Sequence, residues 1–102
     1  MKEIKMIVEH IREELDGAEE YAKTATKFRD SDRELADSYF KKANDELNHV
    51  NEFHAQVVRL IKVQKATGKE VPPAMQAVWD WEHEKMVDKT ARIKSLLEMY
   101  KK

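Results

Sequence analysis

Apolar residues recur along the first quarter of the chain at alternating steps of four and three, which is the spacing of one face of an α-helix. This first stripe comprises Ile4, Val8, Ile11, Leu15, Ala18, Ala22 and Ala25. A second stretch repeats the spacing at Ala36, Phe40, Ala43, Leu47, Val50, His54, Val57 and Ile61. Because both stripes keep a heptad spacing, they predict two long helices, over about residues 4–28 and 35–64, that pack along each other.

A short polar segment about Asp30 separates the two stripes and predicts a tight turn between the helices. Ser31 and Glu34 fit a capping box, in which the first side chain caps the helix start and the second returns the bond. The second helix is therefore expected to begin just after Ser31. The two helices together predict an antiparallel hairpin.

A third helix is predicted after a clear stop. Gly68 marks the end of the second helix, and Pro72 and Pro73 suit the first turn of the next one. Its predicted apolar side comprises Met75, Val78, Trp79, Met86, Ile93, Leu96, Leu97 and Tyr100. Residues 1–102 are therefore expected to form one all-α domain, a long antiparallel hairpin plus a third helix.

Each hairpin helix carries a further stripe, with a seven-residue spacing, in which a single carboxylate interrupts apolar or aromatic residues. The first helix has Ile7, Glu14, Tyr21 and Phe28, and the second has Tyr39, Glu46, Phe53 and Leu60. A carboxylate on an apolar side is costly unless it is paired, protonated or bound to a metal. The two interrupting residues are therefore the candidate functional residues of the hairpin.

The turn fixes how the two carboxylates line up. Glu14 and Glu46 are each 16 residues from Asp30, so a hairpin folded there places both roughly 24 Å from the turn. Tyr21 and Tyr39 should form an aromatic layer between them and the turn. Gly17 lowers helix propensity and predicts a close approach by another helix.

His49 follows Glu46 by three residues in an E-x-x-H motif, so both side chains leave one side of the helix. An isolated E-x-x-H in a chain this rich in glutamate is more often a solvated face. The residues can also be explained without a metal. Glu14 would then pair with a lysine or carry a proton, and His49 would lie on the surface. The shared height of Glu14, Glu46 and His49 instead favours one metal site.

The composition limits which partners and which metal ligands the chain can have. The 19 basic and 20 acidic residues nearly cancel, which argues against a nucleic-acid partner and against binding to an anionic membrane. Without cysteine, a metal would be held by carboxylate and imidazole, a ligand set that suits iron or manganese and, less selectively, zinc. The first residues lack a signal-peptide pattern and no apolar stretch reaches the ~20 residues of a membrane span. A cytoplasmic protein is therefore expected.

One chain supplies only half of a two-metal site. Carboxylate-bridged di-iron sites take a glutamate from each of two helices and an E-x-x-H from each of two others, inside a four-helix bundle. Two copies of the hairpin, related by a two-fold axis, provide this inventory. The sequence therefore predicts a homodimer or a higher homo-oligomer.

The segments EELDGAEEY, DRELADSYF and DELNHVNEFH resemble the ferritin-like superfamily, and most closely the short encapsulated ferritins. The resemblance covers about the first 60 residues. It implies a half bundle that dimerises into a four-helix di-iron bundle and oxidises Fe(II) with dioxygen or peroxide, with manganese or zinc as substitute metals. By this resemblance Glu14 and Glu46 are iron ligands, His49 is a terminal nitrogen ligand, and Tyr21 is a neighbouring or redox residue.

Two departures from that family define an alternative. Classical ferritins have four helices and a short fifth, whereas three are predicted here. The terminal residues LLEMYKK lack the small and apolar tail by which encapsulated ferritins dock, so docking in an encapsulin shell is not expected. The alternative is a non-catalytic helical assembly or adaptor protein that keeps the hairpin with a structural metal or with none.

The third helix contains further polar candidates. A hairpin about residue 70 places Glu82 roughly 17 Å beyond Glu46, too far for the same metal. His54 and His83 have two interpretations, a second polar layer or, more commonly for such residues, satisfied interior histidines. Of Trp79 and Trp81, one is expected in the core and the other at an oligomer contact.

Overall fold

Three helices make up the fold in a computed structural model that describes residues 2–68 and 70–102. Helix α1 spans Lys2–Phe28, α2 spans Arg33–Ala66 and α3 spans Pro73–Lys101. The described ranges contain no strand, and none of their helices carries an apolar run long enough to cross a bilayer. The predicted all-α class and the predicted hairpin of α1 and α2 are confirmed. The molecule is a narrow rod of 57 × 18 × 18 Å.

The turn between α1 and α2 differs from the prediction by one residue. Asp32, not Ser31, is the N-cap, and its carboxylate accepts a hydrogen bond from the backbone N–H of Leu35 at 3.1 Å. Helix α2 consequently begins at Arg33. An aspartate is favoured at this position because its negative charge also lies at the positive end of the helix dipole.

The connection between α2 and α3 follows the sequence prediction. Thr67 is the C-cap of α2, and Gly68 just beyond it has a φ of 77°, a left-handed conformation that glycine adopts without strain. Pro72 precedes α3 as its N-cap and Pro73 is its first residue. Glycine and proline thus end one helix and start the next.

Small residues dominate the contact between α1 and α2. Alanines on both helices are fully or almost fully buried, and they let the backbones approach closely: Ala18, Ala22, Ala25, Ala36 and Ala43. Larger residues complete the core: Ile11, Leu15, Leu47, Val50, Val57, Ile93 and Leu97. The predicted stripes of α1 and α2 are therefore the buried stripes of the hairpin.

Helix α3 runs parallel to α1 along one side of the hairpin, and its buried face differs from the predicted one. Met75 and Val78 are exposed, because they line an open groove between the first turns of α1 and α3. Glu82 is buried instead. Apolar spacing alone placed Met75 and Val78 on the core side, and that prediction was wrong.

Ion pairs attach the first half of α3 to α1. Arg12 donates two hydrogen bonds to the buried carboxylate of Glu82, one of them at 3.0 Å from Nε. These bonds raise the pKa of Arg12 above its ordinary value. One turn further along α1 and two turns further along α3, Lys89 donates to Asp16. The buried charge of Glu82 is therefore neutralised within the chain.

Tyr100 attaches the last turn of α3 to the start of α2. Its ring stacks on Phe40 with centroids 4.9 Å apart, and its hydroxyl donates to Asp37. Burial raises the pKa of the Tyr100 hydroxyl, while the bond from Tyr100 lowers the pKa of the Asp37 carboxyl. The far end of α3 is thus held by packing and by a hydrogen bond to a charged acceptor.

Two histidines meet between α2 and α3. The rings of His54 and His83 stack with centroids 5.2 Å apart, and the ring of Trp79 lies 5.6 Å from His83. Burial lowers the pKa of His54, and the neighbouring His83 lowers it further. The two histidines are therefore neighbours, and their ring contacts are with each other and, for His83, with Trp79.

This lowered pKa predicts a loss of stability on acidification. Unfolded His54 takes up a proton near pH 6.5, whereas the folded chain resists protonation there. The contribution of neutral His54 to the free energy of unfolding is therefore complete above about pH 6.5. It declines as the pH falls from there toward the pKa of His54 in the folded chain. Urea unfolding at pH 7.5 and pH 5.5 should show a steeper decline for the native chain than for His54→Gln. Parallel declines would contradict this.

Candidate metal site

The structure brings together the three residues that the sequence singled out as metal ligands. Glu14, Glu46 and His49 each contribute one donor atom, and these atoms all lie within 4.8 Å of one another. Nδ1 of His49 lies 3.3 Å from Oε2 of Glu14. Glu14 belongs to α1, whereas Glu46 and His49 belong to α2. The three can meet only because the two helices pack in the register that was deduced from the turn at Asp30.

The three side chains open on the side of the hairpin that faces away from α3. The side chains of Glu14 and His49 are 25% and 49% exposed, and Glu46 is half-buried. Helix α3 contacts Arg12 and Asp16, which lie on the opposite side of α1. A second molecule can therefore approach the site without displacing α3.

Gly17 makes room for Glu46, one of the three candidate ligands. A Cβ placed on Gly17 would lie 3.6 Å from Oε2 of Glu46, so the glutamate side chain lies across the bare backbone of α1. The close approach expected at Gly17 is therefore made by a side chain of α2 and not by a helix backbone. The contact holds the Glu46 carboxylate against α1, beside Glu14.

The Gly17 contact distance makes a prediction about stability. A separation of 3.6 Å is ordinary van der Waals contact, so Gly17→Ala should fit and raise the unfolding free energy by about 0.5–1 kcal/mol through helix propensity. Gly17→Leu should instead displace Glu46 and weaken metal binding. Urea unfolding and metal titration measure the two effects. A destabilised Gly17→Ala chain would show that Glu46 needs more room than the structure gives.

Charge makes the arrangement unfavourable without a cation. Two carboxylates with oxygens within 4.8 Å of each other repel each other by about 1–3 kcal/mol, and solvent screening of the partly exposed side chains favours the lower figure. A proton on His49 would offset one of the two charges of Glu14 and Glu46. A divalent cation would neutralise both and would also accept the imidazole nitrogen.

The donor spacing fits a metal ion after small movements. Bonds of about 2.1 Å put the donors around one ion roughly 3–4 Å apart. The three donor atoms lie within 4.8 Å of one another, which is slightly wider than this spacing. Rotation of the partly exposed side chains is enough to bring them to the distances that one ion requires. Two oxygens and one nitrogen leave coordination positions open in a single chain.

Apolar and aromatic residues surround the site on the same side of the hairpin, which we term the site face. It comprises Ile7, Glu14, Tyr21, Phe28, Tyr39, Glu46, Phe53 and Leu60, all partly buried. Tyr21 and Tyr39 have ring centroids 5.8 Å apart, which confirms the predicted aromatic layer.

His10 is a neighbour that the sequence reasoning did not single out. Its ring lies 5.6 Å from Phe53, and it precedes Glu14 by one turn of α1. The four-residue spacing from Glu14 was the available signal, because residues at that spacing share one side of a helix. His10 is therefore placed on the site face.

The other polar candidates lie elsewhere, as expected. Glu82 is bonded to Arg12, and His54 stacks on His83 on the side of the hairpin that α3 covers. Trp79 packs against the core, whereas Trp81 is 58% exposed and its ring is covered by the amine of Lys85 at 3.8 Å. The predicted core position of one tryptophan is confirmed for Trp79, and the oligomer contact predicted for the other, Trp81, stays a prediction.

Searches of protein-family models, curated proteins and solved structures find no match to the chain.

Proposed function

We propose that two copies of the chain join through their site faces, bind iron between them and oxidise Fe(II) with dioxygen or peroxide. The observation that supports this most directly is the convergence of Glu14, Glu46 and His49, whose donor atoms lie within 4.8 Å of one another at the centre of an apolar face. Two copies would supply four carboxylates and two imidazoles, the set found in di-iron carboxylate bundles. Four negative charges would balance two divalent ions.

Each residue has a role in this proposal. Glu14 and Glu46 bind the ions through oxygen, and such hard anionic donors hold Fe(III) more tightly than Fe(II), which favours oxidation. His49 supplies nitrogen, and its present contact with Glu14 keeps the ring turned toward the site. Iron held by these residues would supply the electrons for the oxidant, and the chain would supply the ligands and the apolar side chains around them.

Tyr21 has a supporting role in this proposal. It follows Glu14 by seven residues on the same side of α1, roughly 10 Å along the helix, and its ring contacts Tyr39. The aromatic pair covers the end of the site nearer the turn. In this proposal Tyr21 either passes an electron from Fe(II) to the oxidant or limits access to the iron, and Tyr21→Phe, which keeps the ring, distinguishes the two roles.

Stoichiometry and mass test the proposal together. Anaerobic titration with Fe(II) should saturate at one ion per chain, which is two per dimer, and sedimentation should show a dimer or a larger assembly at micromolar concentration. Admission of air should then raise the ferric absorbance. A strictly monomeric chain, or one that takes up no iron, contradicts the proposal. Crystals with an anomalous signal at the iron edge would locate the ions.

The exposed part of α3 supports a second candidate, a non-catalytic assembly or adaptor protein. Trp81 and Val78 are both largely exposed, and large exposed apolar side chains are enriched at protein interfaces. In this candidate the hairpin holds a structural metal or none. Trp81→Ala would then reduce the size of the assembly, while iron oxidation would stay at the uncatalysed rate in every variant.

A further inference from the structure

We propose that the open groove between the first turns of α1 and α3 binds a free carboxylic acid with a straight alkyl chain of about 10–12 carbons. The groove has a volume of about 520 Å³, within the range of about 300–1,000 Å³ that is usual for small-molecule sites. None of Glu14, Glu46 and His49 lines it. The binding of this acid is therefore independent of the iron proposal.

The floor of the groove is apolar and open to solvent. Ile4 and Val8 of α1 line it together with Val78 and Trp79 of α3. Ile4 and Trp79 also pack against the core, whereas Val78 is 61% exposed. An alkyl chain in the groove would remove this apolar surface from water, which is the main favourable contribution to the binding of apolar ligands. The floor therefore favours a ligand with an apolar segment.

The length of the groove sets the length of the alkyl chain. Its lining runs from Lys2 to Arg12 on α1 and from Ala74 to Glu82 on α3, which is roughly 15 Å and 12 Å at about 1.5 Å per residue. An extended alkyl chain advances about 1.25 Å per carbon, because its C–C bonds are ~1.5 Å long and meet at about 111°. A chain of about 10–12 carbons therefore fills the groove.

A protein partner fits the groove less well than a single alkyl chain. A partner helix could place only about two to three turns along this length. Stable protein interfaces bury ~800 Å² on each side, so most of such an interface would have to lie outside the groove. An alkyl chain needs no contact beyond the apolar floor.

Charge differs between the two ends of the groove. Lys2 and Lys5 line the outer end, at the first turn of α1, and neither has an ion-pair partner in the described part of the chain. At the inner end Arg12 is bonded to Glu82, and Glu9 lies one turn before Arg12 on the same side of α1. The outer end is therefore positive, and the inner end has one more carboxylate than cations.

This difference orients the ligand. A carboxylate is attracted to Lys2 and Lys5 and repelled by the excess negative charge at the inner end, so the alkyl chain extends from the lysines toward Trp79. Both lysines are exposed, and ion pairs in contact with water contribute little affinity. The alkyl chain therefore provides most of the affinity, and the lysines determine which head group is accepted.

Tryptophan fluorescence reports occupation of the groove. In a Trp81→Phe background Trp79 is the single tryptophan, and its emission should shift to shorter wavelength as an alkyl chain replaces water beside it. Titration at pH 7.5, below the concentrations at which micelles form, compares octanoate, decanoate, laurate and myristate. The affinity should rise about threefold to fourfold for each added carbon as far as laurate. It should then level off, because the end of a longer chain leaves the groove.

Matched variants test the position of the ligand. Val78→Asp places a charge on the apolar floor and should weaken the binding of laurate at least about tenfold. Val87→Asp is the control, because Val87 is 49% exposed on the same helix and does not line the groove. Lys2→Gln and Lys5→Gln should each weaken binding about twofold to fivefold. Together they should remove the preference for laurate over dodecyltrimethylammonium, which has the same tail and a cationic head.

Three results would overturn the proposal. The first is equal affinity for laurate in Val78→Asp and Val87→Asp, with folding verified by circular dichroism. The second is binding of dodecyltrimethylammonium to the native groove as tight as that of laurate. The third is a shift of Trp79 emission with protein concentration alone that Val78→Asp removes, which would assign the groove to a second copy of the chain. Glu46→Ala should bind laurate normally, so failure of the iron proposal leaves this result unchanged.

Discussion

Glu46→Ala should slow the oxidation of Fe(II) in air by at least about a hundredfold, toward the uncatalysed rate. Loss of a residue that only supports a ligand costs 10–100-fold in many metal sites, and Glu46 is proposed as a ligand itself. Glu14→Ala should have an effect of the same size, because the two carboxylates lie within 4.8 Å in one cluster. Ferric absorbance after mixing with air measures both rates.

A matched control and a stability measurement make this result specific. Glu52→Ala removes an exposed carboxylate from the same helix and should leave the rate unchanged. Glu46→Ala should not lower the unfolding free energy of the metal-free chain, because it removes one of two carboxylates that repel each other. A slow and unfolded Glu46→Ala chain would not support a ligand role, and normal rates in Glu14→Ala and Glu46→Ala would favour the adaptor candidate.

Ile93→Ala should give the largest loss of stability, about 2–5 kcal/mol. Ile93 is 0% exposed and is the largest fully buried side chain of α3, so truncation leaves a cavity between α3 and the hairpin. A domain of this size has only about 5–15 kcal/mol of stability in total. Urea unfolding followed by circular dichroism measures the loss.

Val87 provides the control on the same helix. It is 49% exposed, so Val87→Ala should change the unfolding free energy by less than about 0.5 kcal/mol. Ile93→Val, which removes one methylene group, should fall between the two at about 1 kcal/mol. Equal effects of Ile93→Ala and Val87→Ala would show that α3 is not anchored through Ile93.

The hairpin was predictable from the sequence because its signals are local and agree with one another. Two heptad stripes gave the helices, and the distance of Glu14 and Glu46 from Asp30 gave their common height. The Tyr21–Tyr39 contact at 5.8 Å is the independent check, since no metal was assumed in placing it. The prediction of the N-cap of α2 was wrong by one residue, because Ser31 and Asp32 are both residue types that favour that position.

The buried face of α3 was less predictable, because it depends on which residues of α1 and α2 pack against each turn of α3. Met75 and Val78 have the spacing of a buried face, but the first turns of α1 and α3 leave an open groove between them. Glu82 interrupts the same face, and its buried carboxylate is paired with Arg12, which lies 70 positions away in the chain. Nothing local in the sequence indicates a partner at that separation.

The narrow shape of the molecule leaves an unusually large area uncovered. The chain exposes 7083 Å², whereas a compact monomer of 12.0 kDa exposes about 6000 Å². The excess of roughly 1000 Å² is close to the ~800 Å² that each partner contributes to a standard protein interface. Contact with a second copy would therefore bring the area per chain down to that of an ordinary globular protein of this mass.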